Sequence, residues 1–232
     1  MTTNPRTTLL AANERNMRML RHVHEFRLTT INIAVRAEPN SPSRNAVRKL
    51  LDQLCHRDFL RKFTLVYPTH YFVLGDLGSK ALGQRNHRTL PLGPQSLPQD
   101  FALLNYAFMS AQRRSRLTRG TLQKMYEWMP AAMLAAPHCQ NQADGTVELV
   151  RVDLGGPPDH VARKCANDIR KRSQFREFSA LVASGAFRLV VITGTPQKSA
   201  ALRGSLDRHE WPKGLRIHMS VVPELLNLTT RK

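Results

Sequence analysis

Apolar residues at Val47, Leu50, Leu51 and Leu54 fall at i, i+3, i+4 and i+7, the spacing that gathers four side chains on one face of an α-helix. Ser43 opens the segment, where a hydroxyl can accept a backbone N–H and start the helix. The opposite face at this end carries Arg44, Asn45, Arg48 and Lys49. A segment divided in this way must lay its apolar stripe on a small core, and its cationic stripe is left for water or for a polyanion. Residues 43–56 are therefore read as a helix with an outward basic face.

The neighbouring segments narrow the fold. Upstream, Met17, Leu20, Val23 and Phe26 recur every three residues within residues 12–26, which predicts a second helix. A shorter apolar stretch, residues 29–35, follows, and Glu38-Pro39-Asn40-Ser41-Pro42-Ser43 then stops and restarts the chain. Downstream, residues 63–66 and 71–74 are β-rich and flank Tyr67-Pro68-Thr69-His70, the pattern of a hairpin. Three helices, the last one basic, followed by a hairpin is the order of a winged helix-turn-helix, whose third helix enters the major groove while the hairpin meets the flanking backbone. Arg61 and Lys62 stand where that hairpin begins. The DNA contacts expected of this part are Ser43, Arg44, Asn45, Arg48, Lys49, Arg61 and Lys62.

Charge supports a nucleic-acid partner. Lys and Arg number 35 against 17 Asp and Glu, a formal net charge of +18 over 232 residues. A charge so far from zero draws polyanions by long-range attraction and counterion release. Residues 1–97 hold 15 basic and 6 acidic side chains and residues 98–232 hold 20 and 11, so each part carries +9. Double-stranded DNA is the expected partner of both parts; a second copy of the chain, or mobilisation and replication proteins, are the protein partners left open. No run of 18 apolar residues and no apolar leader in residues 1–10 is present, so a membrane partner is not expected and a cytoplasmic location is. Three scattered cysteines, Cys55, Cys139 and Cys165, suit reduced core thiols.

Three prolines between residues 86 and 98 mark a linker over residues 86–97, between a domain at 1–85 and a second at 98–232. The second part opens with an apolar helix at 100–112; Arg113-Arg114-Ser115-Arg116 then leads into a helical stretch at 118–128. Strands at 132–136 and 146–153 are joined through Asp144-Gly145, a fair hairpin signal. Residues 160–178 form one basic helix carrying Arg163, Lys164, Arg170, Lys171, Arg172 and Arg176, and 187–193 is a buried β-branched strand. Thr195-Pro196 caps a helix running towards Asp207, and 215–222 supplies a last strand. The whole is α+β, a winged helix-turn-helix followed by a small α/β domain. Arg163, Arg170, Lys171 and Arg172 are its expected contacts to DNA phosphates.

Val150-Arg151-Val152-Asp153-Leu154-Gly155, the basic helix after it, and Arg188-Leu189-Val190-Val191-Ile192-Thr193 give this order of elements a resemblance to the replication-relaxation family of plasmid and mobile-element proteins. The resemblance implies a restriction-endonuclease-like second domain of the PD-(D/E)xK type. It also implies a Pro-Asp on one strand, Glu-x-Asp-Arg-Gly on the next and a lysine on the following helix. Here Pro130 is followed by Ala131, Arg151 stands where an acid belongs, and Leu154-Gly155 replaces Arg-Gly. Asp153 and Lys164 remain as the catalytic candidates that the resemblance implies.

Cleavage of a phosphodiester by such a site needs converging carboxylates to hold Mg²⁺. With one aspartate beside an arginine, no metal site and no cofactor are expected, and the chain is read as a non-catalytic DNA-binding protein of a plasmid, conjugative element or phage. Residues 151 and 153 of a strand share a face, so Arg151 is expected to neutralise Asp153, with a weak metal site as the alternative. Three rival readings stand beside it. The first is a Mg²⁺-dependent, relaxase-like nicking enzyme using Asp153 and Lys164 with Glu148 or Asp144. The others are a winged-helix transcription regulator and an assembly subunit. Gly75-Asp76-Leu77-Gly78-Ser79-Lys80 lacks the spacing of a phosphate loop and is read as the exit of the hairpin.

Overall fold

The computed structural model describes residues 14–39, 42–84 and 89–229 of a mixed α+β chain, which divides into two units, 1–104 and 105–232. The first unit opens with α1 (Glu14–Phe26), whose inward face is Met19, Leu20, Val23 and Phe26, with Met17 half-buried at its edge. Arg27 ends it with a left-handed φ of 69°, and its guanidinium donates to the Asp100 carboxylate at 2.8 Å. Thr29 then pairs with Phe72 in both directions at 2.9 Å, a single antiparallel bridge. Thr30 caps α2 (Ile31–Ala37), accepting from the Ile33 N–H.

Ser43 caps α3 (Arg44–His56) by accepting from the Ala46 N–H at 3.2 Å. Val47, Leu50, Leu51 and Leu54 are all buried, and they join Met19, Leu20, Val23, Phe59, Leu60, Phe72 and Leu74 in one core. Strands β1 (Leu60–Val66) and β2 (Thr69–Leu74) form the hairpin, with Leu60 opposite Leu74. The Gly75–Lys80 stretch, read as the exit of the hairpin, leaves β2 through Gly75 and continues as the helix α4 (Asp76–Ala81). Both glycines are there because the chain runs against the 58–59 backbone: a Cβ on Gly75 would lie 2.2 Å from the Asp58 carbonyl oxygen, and one on Gly78 2.1 Å from that of Phe59.

Residues 89–97 are not a free spacer. Residues 86–88 lie outside the described residues, Leu92 donates its N–H to the Tyr71 hydroxyl at 3.2 Å, and 96–97 already belong to α5 (Ser96–Met109). The division between units falls at 104/105, inside α5, rather than at residue 98.

The second unit is a five-stranded sheet in the order β3 (Arg114–Leu117), β4 (His138–Asn141), β5 (Val147–Val152), β6 (Phe187–Thr193), β7 (Arg216–Val221). The first three strands are antiparallel and the last three parallel. Parallel neighbours need crossovers. These are α8 (Pro158–Arg172) with α9 (Arg176–Ala183) between β5 and β6, and α10 (Pro196–Leu206) between β6 and β7. Leu149, Cys165, Ile169, Phe178, Phe187, Leu189 and Leu202 lie in its core.

The basic run at 113–116 leads into a helix, α6 (Arg119–Met125), as read, and itself supplies most of strand β3, where Arg114 has a buried carboxylate partner. Two expectations are corrected here. Residues 131–134 form the short helix α7 (Ala131–Leu134) and the strand begins at His138; Ala, Met and Leu favour helix over strand, and Pro137 stops it. The segment 160–178 breaks after Arg172, which lets Phe175 turn onto Trp128, with ring centroids 5.4 Å apart.

Candidate nucleic-acid interface

The apolar stripe of α3 fixes the direction of its other side chains. With Val47, Leu50, Leu51 and Leu54 held in the core, Arg44, Asn45, Arg48, Lys49 and Asp52 are all exposed. Arg44, Arg48 and Asp52 follow at i, i+4 and i+8, one line along the helix. On β1 alternate residues face opposite ways, so Arg61 and Lys62 diverge. Lys62 joins Arg44, Arg48 and Asp52 in lining a groove of about 420 Å³, closed by Thr30, Ile31 and Asn32 at the start of α2 and by Pro68, Thr69 and His70 of the hairpin. Arg44, Arg48, Lys49 and Lys62 form no ion pair with any described residue. Three cations without an ionic partner among the described residues therefore share this groove with one carboxylate, and Tyr67, 85% exposed, projects at the hairpin tip. Burial, and then the Asp52 charge, push the Cys55 thiol up to about 11 against the opposing pull of Lys62, so the thiol stays protonated.

Arg61 does not join the groove. Its guanidinium donates to Asp58 at 3.0 Å, to Asp76 at 2.7 Å and to the Thr89 hydroxyl at 2.8 Å. It is a clasp between the start of the hairpin, α4 and the segment that leads to α5.

In the second unit the basic face of α8 splits. Arg163, Lys164, Arg170 and Lys171 are exposed, and no described residue pairs with Lys164, Arg170 or Lys171. Arg172 is 1% exposed and donates to the Asp168 and Met133 carbonyl oxygens, each at 3.2 Å, so it cannot reach a phosphate. Arg151 pairs with Asp168 rather than Asp153. Burial, with the charges of Arg172 and Arg151, lowers His138 to about 3, and its Nδ1 lies 2.8 Å from the Ala136 carbonyl oxygen. His138 is thus a neutral core residue.

Of the cleavage candidates, Asp153, Glu148 and Asp144 are engaged. Asp153, buried just past β5, accepts from the Gly155 N–H at 3.0 Å and has Lys198 as its ionic partner at 3.8 Å. Lys164 stays exposed on α8. Lys198 donates to the Gly156 carbonyl at 2.6 Å and extends from the first turn of α10, which Thr195 caps. Glu148 is fully buried between Arg114 at 2.7 Å and Arg188 at 3.3 Å. Asp144 caps the Thr146 N–H at 2.9 Å and lies 3.6 Å from Arg188. Arg114 also sits 4.1 Å over the Tyr106 ring, and burial, followed by the Glu148 charge, raises the Tyr106 hydroxyl. Among the described residues no three His, Cys, Asp or Glu side chains converge as a cation site.

Asn32, Asp52, Thr69 and His70 line the groove without having been singled out in the sequence. Asp52 was findable from its spacing with Arg44 and Arg48; the others need the hairpin's register. No helix among the described residues is long and apolar enough to cross a membrane. Comparison of the chain with protein-family models, curated proteins and solved structures finds no match, so its function is argued from these residues and their geometry.

Proposed function

We propose that this chain is a site-selecting DNA-binding protein of a plasmid, conjugative element or phage, with a non-cleaving second domain. The observation that carries the reading is the groove in which Arg44, Arg48 and Lys62, all without ionic partners among the described residues, meet on one side of α3 and the hairpin. A polyanion supplies the charge this surface lacks, and arginine and asparagine at the start of a helix are suited to base edges.

The order of elements supports a winged helix-turn-helix. The Thr29 bridge serves as a minimal first strand, α2 and α3 as the helix pair, and β1–β2 as the wing. Asn45 and Lys49 extend the reading face, and the exposed cations of α8 add a contact that positions without reading sequence. The antiparallel β3–β4–β5 meander followed by a parallel crossover suits a nuclease-like frame, in keeping with the likeness to replication-relaxation proteins. Its candidate metal-holding acids, Asp144, Glu148 and Asp153, are committed to arginines, Lys198 or backbone N–H groups, which favours binding over cutting. The test is footprinting on DNA flanking the coding sequence: a discrete protected site is expected for the native chain and is lost in Arg48→Glu. Unchanged protection in that variant sinks the reading.

A further inference from the structure

The second unit carries a cavity that this reading leaves unused. It measures about 600 Å³ and lies between the C-terminal half of α8 and the segment after α10, lined by Arg170, Ser173, Arg208, His209, Glu210 and Trp211, among others. That volume is in the range of small-ligand clefts, about 300–1,000 Å³. Trp211 is anchored in place: its indole N–H donates to the Leu206 carbonyl at 3.0 Å, and it packs on the core of the unit while lining the cavity. His209 meets it edge-on with centroids 6.1 Å apart. Arg208 is held by Asp159 and Ser205, whereas Arg170 has no described partner.

Leading to this cavity along α8 is an exposed line of Arg163, Asn167, Arg170 and Lys171, spaced so that they share one helix face. A cationic track that ends at a fixed aromatic ring is the combination that holds single-stranded nucleic acid, with phosphates along the charges and an unstacked base on the ring. A paired base inside a duplex cannot present its face to such a pocket. Glu210 suits a base as well, since it accepts from ring and exocyclic N–H groups, which a phosphate lacks.

We infer that this cavity binds an unpaired nucleotide of single-stranded DNA, its base against Trp211 and its phosphate on Arg170. The inference deepens the DNA-binding reading and shares Arg170 with its α8 contact, but it uses none of the groove residues Arg44, Arg48 and Lys62, so it and the groove can fail separately. With Trp128→Phe, Trp211 is the one tryptophan left in the chain. Titrating this full-length variant with a 20-nucleotide oligothymidylate should quench its emission saturably. A 20-base-pair duplex of mixed sequence should leave the emission unchanged, and adding Arg170→Glu should weaken the quench about tenfold. Arg48→Glu should leave the quench intact even where it abolishes duplex footprints. Should Trp128→Phe misfold, Trp211→Ala in the native background serves, with at least about fivefold weaker anisotropy binding of labelled oligothymidylate expected at unchanged circular dichroism. Equal quenching by duplex, no quenching, or full binding by Trp211→Ala overturns the inference.

Discussion

Glu148 shows how one residue can read as chemistry and serve as structure. A glutamate on a strand beside a candidate nuclease aspartate suggests a metal ligand, yet it lies fully buried between the guanidiniums of Arg114 and Arg188. Removing one partner of such a group leaves charge uncompensated in the interior, at a cost of about 3–5 kcal/mol. Glu148→Ala should therefore lower urea-unfolding stability by that amount; a loss under about 1 kcal/mol would mean the arginines reach water without it. Arg151 and Arg172 make the same point from the other sign. Arg172 sits in a basic run that looks like a row of phosphate contacts yet is used up on carbonyl oxygens, and Arg151, expected to neutralise Asp153, pairs with Asp168 instead. Composition cannot separate a cation that faces solvent from one that holds two elements together. Arg44 and Arg48 were separable because the strict apolar spacing of their helix fixes which way they point.

At the level of elements, the legible segments were those whose pattern has a single solution. The strand Phe187–Thr193 and the helix after Ser43 coincide with the observed β6 and α3 because continuous β-branched residues and an unbroken i, i+3, i+4, i+7 stripe admit little else. The misplaced strand at 132–136 failed for the opposite reason. The true strand, His138–Asn141, is polar in sequence and is held by tertiary bonds, such as the Asn141 amide donating to Gln112 at 2.7 Å. The glycines of α4 were legible as unusual but not as close-packing positions. Gly78→Ala places a methyl against the Phe59 carbonyl oxygen and should destabilise the chain by about 3 kcal/mol. Gly204→Ala in α10 meets nothing within 4 Å and should stabilise by about 0.4–1 kcal/mol. Thermal or urea unfolding of the two variants checks the pair, and equal effects would contradict it.

For the molecule as a whole, two histidines, the buried His138 and the half-buried His22, tie stability to pH. Burial lowers His22 to about 4, and burial with neighbouring arginines lowers His138 to about 3. The unfolded chain takes up these protons below about pH 6.5 while the fold refuses them. The stability they contribute is therefore complete above that pH and falls as the solution is acidified towards pH 4. Between pH 6.5 and 4.5 the loss should be about 1 kcal/mol per pH unit for each histidine, and His138→Gln should flatten the slope measured by urea unfolding. A slope unchanged by that variant would place the titration elsewhere.

The charge of the chain has a plainer reading than its fold. Each half carries a surplus of cations, and in the first unit Arg44, Arg48, Lys49 and Lys62, unpaired among the described residues, lie on α3 and the hairpin, where site choice is proposed to reside. DNase footprinting of the DNA around the coding sequence, with and without Mg²⁺, tests that claim most directly. The account predicts one discrete protected site with the strands left intact in both conditions, lost in Arg44→Glu and in Arg48→Glu. Protection that survives both charge reversals, or Mg²⁺-dependent cutting that disappears in Asp153→Ala, would contradict it.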